Sequence, residues 1–242
     1  LYFFQKSVIH AHQTTLHLSI PMNDESQNID DDKEAVKFQR LYAEKGVVNA
    51  QFRLAQMYYE GLGVAQDYKE ALKWYRLAAE QGDADAQYNL GWMYDEGQGV
   101  AQDYKEALKW FRLVAVNIGA GFSERETYAQ YNLGNMYGTR RGILQDYKEA
   151  AKWYQLAGEQ GLAHAQYELG EMYGKGQGVS KDYKEAIKWL LKSAEQKNVN
   201  AQRLIRAIYH KLHKEVAEQG DSYAQRFLGA SYYLGLGVTQ DY

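Results

Sequence analysis

The chain contains no cysteine and one proline, Pro21. The first absence excludes disulfides and thiol chemistry. It leaves the compartment open: cytoplasmic, or exported after loss of a signal peptide. The second means that almost nothing breaks a helix beyond residue 21. No apolar run reaches the roughly 18 residues that a membrane span requires. Basic charge is not in excess either. The formal net charge is −3, so a nucleic-acid binder, which needs a basic surface, is not expected. What is present is a folded composition, 45% hydrophobic and 24% charged, rather than a disordered one. Tyrosine is abundant at 22 residues and needs a structural reason.

One stretch answers much of this. DYKEALKW begins at Asp67 and again at Asp103, DYKEAAKW at Asp146 and DYKEAIKW at Asp182, at spacings of 36, 43 and 36. The pair AQ marks the same period at Ala50, Ala86, Ala129, Ala165 and Ala201. Self-similarity at such a period signals stacked repeats. Each unit reads as a helix A (AQYNLGWMYDEG from Ala86), a GxGV turn and a helix B (DYKEALKWFRL from Asp103). At Asp103, the side chain and Glu106 three residues on predict a capping box. Ala107, Trp110, Phe111 and Val114 form the expected buried stripe, with Lys105 and Lys109 on the solvated face. In the first unit helix B ends at Gly82, a left-handed C-terminal glycine. A catalytic Asp-Lys-Glu set is not expected in four copies, so the repeated stretch is read as construction.

Helix A carries glycine in its interior, at Gly91, Gly134, Gly170 and Gly229. There it costs about 1 kcal/mol relative to alanine. Its recurrence implies a neighbouring backbone or ring too close for a side chain. Tyr58, Tyr94, Tyr137 and Tyr173 recur at one position and fill space between units, with hydroxyls that need partners.

These residues resemble the Sel-one-like repeats, relatives of the tetratricopeptide repeats, whose pattern is A-x-x-x-LG-x-x-Y-x-x-G-x-GV-x-x-D-x-x-x-A-x-x-W. Here it stands as AQYNLGWMYDEGQGVAQDYKEALKWF from Ala86 and AQYELGEMYGKGQGVSKDYKEAIKWL from Ala165. The resemblance covers roughly residues 31–242. It implies an all-α, right-handed α/α superhelical solenoid. It also implies a scaffold or adaptor for other proteins, of the kind found in bacterial signalling, envelope regulation and host contact. The family has no shared catalytic residues to carry over, and its cysteine-rich members are of another type.

Four places depart from the period. Arg112–Gln130 carries seven extra residues, expected to lengthen the turn before the next helix A. Arg140, Arg141 and Ile143 replace a GxGV turn and read as a solvated turn, with an acidic partner group as the alternative. The AQ pair at Ala224 follows Ala201 by only 23 residues. Either two helices fuse there into one, or a loop is missing between about His210 and Lys211. The chain ends at Tyr242, where another helix B would begin, so the last repeat is incomplete. Such an open end invites stacking on another copy.

Residues 1–30 lie outside the repeats. Residues 1–5 (LYFFQ) resemble a tag remnant; Leu16, Leu18 and Ile20 alternate with polar residues as an extended segment; residues 22–32 read as linker. Helix B of a partial unit begins near Asp31. The N-terminal segment is a second route to self-association.

No motif carries chemistry. Gly97-Gln98-Gly99 lacks the strand and third glycine of a dinucleotide loop. His10, His12 and His17, or His210 with His213, fall short of a three- or four-ligand metal set. Asp95 and Glu96 read as a solvated helix end. No cofactor or metal is expected, and the chain reads as non-enzymatic.

Variation between copies falls third, sixth and tenth after the AQ alanine. These positions hold Arg53, Gln56 and Glu60; Asn89, Trp92 and Glu96; Asn132, Asn135 and Thr139; Glu168, Glu171 and Lys175. Their spacing puts them on one face of helix A, expected to line the concave surface and bind a peptide or partner domain. Trp92 reads as an aromatic anchor, or as packing against a neighbour. Asn89, Asn132 and Asn135 offer amides to a peptide backbone. Two other readings remain: a glycan- or small-molecule-binding factor or hydrolase, and a self-assembling structural protein.

Overall fold

The structure, a computed structural model, describes residues 25–116, 123–139 and 144–219. Among these residues there are ten α-helices and no strand. They are α1 (Glu25–Glu44), α2 (Val48–Glu60), α3 (Tyr68–Glu80), α4 (Ala84–Glu96) and α5 (Tyr104–Ala115). The series continues with α6 (Glu124–Gly138), α7 (Tyr147–Glu159), α8 (Ala163–Lys175), α9 (Tyr183–Glu195) and α10 (Val199–Glu218). Each helix packs on its neighbours in the chain, and α4 also touches α6, as α8 touches α10. This is the expected all-α solenoid. Helices α2, α4, α6, α8 and α10 are of type A; α1, α3, α5, α7 and α9 are of type B.

The repeated Asp sets where each helix B starts. Asp67, Asp103, Asp146 and Asp182 are N-caps, and each carboxylate accepts from the backbone N–H groups of the Lys two residues on and the Glu three residues on. The expected capping box at Asp103 is not formed. Glu106 instead pairs with Lys109 one turn on. The reason lies in the backbone: the Asp103 N–H already donates to the Tyr94 carbonyl at 2.9 Å. The same bond joins Asp67 to Tyr58, Asp146 to Tyr137 and Asp182 to Tyr173. The hairpin thus closes through the tyrosine main chain. The side chains of Tyr58, Tyr94 and Tyr137 are buried, and Arg40, Arg76 and Arg112 donate to their hydroxyls. Each arginine belongs to the preceding helix B, so this tyrosine column links consecutive units.

The glutamine of each AQ pair is buried and ties helix A to the end of the helix B before it. Gln51, Gln87, Gln130 and Gln166 donate to the carbonyls of Ala43, Ala79, Ala115 and Gly158 at 3.0–3.3 Å. Gln81, Gln160 and Gln196, from the following helix B ends, donate in turn to Gln51, Gln130 and Gln166. Burying an amide without such partners is costly.

Close approach explains the interior glycines. A Cβ on Gly91 would lie 3.0 Å from the Phe111 ring, on Gly134 2.5 Å from Tyr154, and on Gly170 2.7 Å from Leu190. The GxGV turn imposes a harder limit. Gly99 has φ +71°, and a Cβ there would sit 2.4 Å from the carbonyl oxygen of Tyr68, which opens the helix B before it. Gly63 and Gly178 meet Asp32 and Tyr147 in the same way.

Several expectations need correction. Trp110 is half-buried rather than part of the buried stripe of Ala107, Phe111 and Val114. Asp95 is buried, not solvated. Helix α1 already begins at Glu25, so residues 25–30, read as linker, are helical. Part of the seven-residue insertion is helix rather than turn: α6 starts at Glu124 behind a full Ser123–Glu126 capping box. Of the two readings for the stretch after Ala201, the continuous helix is the one seen: α10 runs unbroken through His210 and Lys211 to Glu218. Arg140, Arg141, Ile143, Gly229, the other residues after 219 and residues 1–24 lie outside the described residues.

The two glycine environments predict different costs. Gly82 has φ +92° with open space around a Cβ, whereas Gly99 faces backbone. In urea unfolding, Gly82→Ala is expected to cost about 1 kcal/mol from backbone strain alone. Gly99→Ala is expected to cost more than about 2 kcal/mol, because helix B must also move.

Candidate functional site

The variable residues of helix A occupy one face, and most are half-buried rather than free. Arg53 is exposed and donates to Asn49 at 3.0 Å. Gln56, Asn89, Trp92, Glu96, Asn132, Asn135, Glu168 and Glu171 are half-buried; Glu60, Thr139 and Lys175 are exposed.

A second tyrosine column, not singled out from the sequence, holds these residues in place. Asn132 donates to the Tyr88 hydroxyl at 3.3 Å, and Asn89 lies near the Tyr75 phenol and lowers its pKa against burial. Asn135 Oδ1 accepts from the Tyr154 hydroxyl at 2.8 Å, and its side chain lies near the Tyr131 phenol. Trp92 packs on the core near the Tyr59 phenol, which donates to Gln98 at 2.8 Å. Trp92 and the asparagines therefore join neighbouring helices as well as facing outward. The sequence held a signal for this column, since Phe52, Tyr88, Tyr131 and Tyr167 all stand two residues after the AQ alanine.

Burial raises the pKa values of these phenols. Tyr75 moves well above the ordinary tyrosine value, and Tyr88 and Tyr131 are pushed up to about 12. They are neutral near neutral pH. At the far end of the face, Tyr167 is pushed up to about 12 by burial and by the neighbouring Glu171 and Glu168. Glu168 itself is pushed up to about 7, by burial first and by Glu171 beside it, against the opposing pull of Lys175. Lys175 pairs with Glu171 at 2.9 Å. The face thus grades from amides and an indole at α4 and α6 to a carboxylate pair at α8.

Elsewhere, the extra turn of α6 reaches back to α4. Arg125 pairs with Asp85 at 2.6 Å, and its guanidinium lies 5.2 Å from the Tyr88 ring centre. An open cavity of about 400 Å³ is lined by Ser123, Glu124, Thr127, Tyr128, Gln160, Gly161 and Leu162, away from the variable positions. Among the described residues no group of three His, Asp or Glu side chains is placed to hold a metal ion. No described helix is long and apolar enough to cross a membrane.

Glu168 carries a pH prediction. Between its unfolded value near 4.5 and its folded value of about 7, the native state holds a proton that the unfolded chain has released. Stability therefore falls as pH rises through that window. Thermal unfolding at pH 5 and 7.5 is expected to show this loss in the wild type and a smaller loss in Glu168→Gln.

Similarity to known proteins follows the geometry. The Sel1 repeat model matches residues 48–83, 84–115, 127–162, 163–198 and 222–242. Among solved structures, the chain is similar to a protective antigen present in uropathogenic Escherichia coli strains displaying an SLR fold. The identity is 37% and the TM-score 0.66, with 86% of this chain and 46% of that one covered. It is also similar to a Sel1 repeat protein from Oxalobacter formigenes, with 38% identity, a TM-score of 0.60, and 72% of this chain and 48% of that one covered. The chain thus spans about half the length of these relatives. No curated protein matches it. Sel1 repeat proteins are generally protein-interaction scaffolds. With five matched repeats, hairpin-closing Asp residues and an all-α stack, the chain belongs to the Sel1 repeat family.

Proposed function

We propose that the protein is a non-catalytic interaction scaffold, and that the face of its A helices is a concave groove holding a peptide or partner domain. The observation that carries this reading is where the copies differ. Core positions repeat from unit to unit, while Asn89, Trp92, Asn132, Asn135, Glu168 and Glu171 vary on one face and keep part of their surface open. Contacts between A helices, α4 with α6 and α8 with α10, support a stack that curves toward that side. The chemistry suits an extended chain: amides for its backbone, an indole for an apolar side chain and a carboxylate pair for a basic one. One similar structure is a protective antigen, and this supports host contact as the setting.

The test begins with capture of partners by the full chain and their identification by mass spectrometry. Trp92→Ala combined with Asn132→Ala is expected to weaken the captured partner by at least roughly tenfold, with far-UV circular dichroism unchanged. Unaltered affinity in a folded double variant would show that the partner binds elsewhere.

A further inference from the structure

Among the described A helices, α6 alone carries asparagine at both the third and the sixth position after its AQ alanine. At the same positions α4 pairs Asn89 with Trp92, and α8 pairs Glu168 with Glu171. Asn132 and Asn135 are half-buried. They stand one turn apart, which sets their Cβ atoms about 5–6 Å from each other. Each is tied to a phenol of a different neighbouring helix. Asn132 Nδ2 donates to the Tyr88 hydroxyl of α4 at 3.3 Å, and Asn135 Oδ1 accepts from the Tyr154 hydroxyl of α7 at 2.8 Å. The two amides are therefore held opposite ways round.

Packing fixes both phenols. Tyr154 is 4% exposed and lies against Gly134, where a Cβ would come within 2.5 Å of its ring. Tyr88 is buried, with the Phe111 ring centre 5.6 Å away and the Arg125 guanidinium 5.2 Å away. The Tyr154 hydroxyl is particular to this unit: its equivalents in the units of Trp92 and Glu171 are Phe111 and Leu190, which have none. A buried phenol needs a polar partner, yet serving these two uses only part of each amide. Asn132 keeps its Oδ1 as an acceptor. Asn135 keeps its Nδ2, and with one N–H turned to the nearby Tyr131 phenol a second still remains.

We infer that Asn132 and Asn135 form a two-point clamp on the main chain of an extended partner segment, with Asn132 Oδ1 accepting from a peptide N–H and Asn135 Nδ2 donating to a peptide C=O. One residue of an extended chain presents both groups on the same side, as in an antiparallel pair. Its side chain points elsewhere, so the clamp takes any residue type with one exception: proline has no N–H. Tyr88 and Tyr154 are positioning residues. They orient the amides before the partner arrives, so binding has little left to order. The inference rests on the reading of this face as a groove. What it adds is a division of labour, in which α6 reads main chain and the neighbouring Trp92 and Glu168–Glu171 read side chains.

The probes are short peptides selected from a displayed random library on the full chain, keeping those whose binding Trp92→Ala weakens. Aligned, they are expected to share one position that accepts every residue except proline. Methylating the main-chain nitrogen at that position is expected to weaken binding at least about tenfold, whereas alanine there changes it less than about twofold. In Asn132→Ala the methyl penalty is expected to shrink to about twofold or less, because the acceptor it blocks is already gone. Asn135→Asp keeps an acceptor for Tyr154 and unchanged circular dichroism, but turns an oxygen toward the peptide carbonyl. It is expected to weaken the unmodified peptides at least about tenfold. If no selected peptide responds to Trp92→Ala, the groove reading fails and the clamp with it. If groove peptides are found but tolerate every main-chain methyl, keep the full penalty in Asn132→Ala, or bind Asn135→Asp as they bind the wild type, the clamp alone is overturned.

Discussion

The stack depends on one buried side chain used four times. Each helix A has to stay seated on the helix B before it, at a helix end whose last carbonyls have no intrahelical partner. Gln51, Gln87, Gln130 and Gln166 donate to those carbonyls inside the core, adding to the turn N–H groups that already reach Ala43, Ala79 and Gly158. The glutamines at the next helix B ends close onto three of them. A polar group so placed is neutral or favourable only while fully bonded. It therefore fixes the seating of one unit on the next more sharply than alanine and leucine packing alone.

The other recurring residues follow from that seating. Once A sits close on B, the facing position has room for a ring only if helix A offers glycine, as at Gly91 and Gly134. Once the hairpin is tight, the Asp N–H is taken by a tyrosine carbonyl. The following glutamate is then released to its lysine instead of completing a capping box. Tyrosine abundance has two causes. One column bonds arginines of the preceding helix B, and the other holds the variable asparagines and Trp92 across units.

The repeat, the helix order and the need for interior glycine were legible in the sequence because each is a local or periodic property. Asp67, Gly82 and Gly91 act within one or two turns of themselves or at a fixed offset. What was not legible depended on distance or on competition. The capping box failed because a carbonyl nine residues back captured the donor. Asp95 looked like a solvated helix end, yet the neighbouring units bury it. The insertion before Ala129 read as loop because Ser123 and Glu126 lie off the period, although their spacing is itself a cap signal. For the variable face, its alignment was legible and its hydrogen bonding was not, since Asn132 and Tyr88 are 44 residues apart.

Urea unfolding of Gln166→Leu tests the role of the buried glutamine most directly. The substitution removes one of the bonds to the Gly158 carbonyl, which keeps the Gly161 N–H, and one of the bonds from the Gln196 amide, which keeps the Gly161 carbonyl. A loss of about 1–3 kcal/mol is expected, against less than about 0.5 kcal/mol for Gln155→Ala on the exposed side of α7. Equal stability of the two variants would contradict the account.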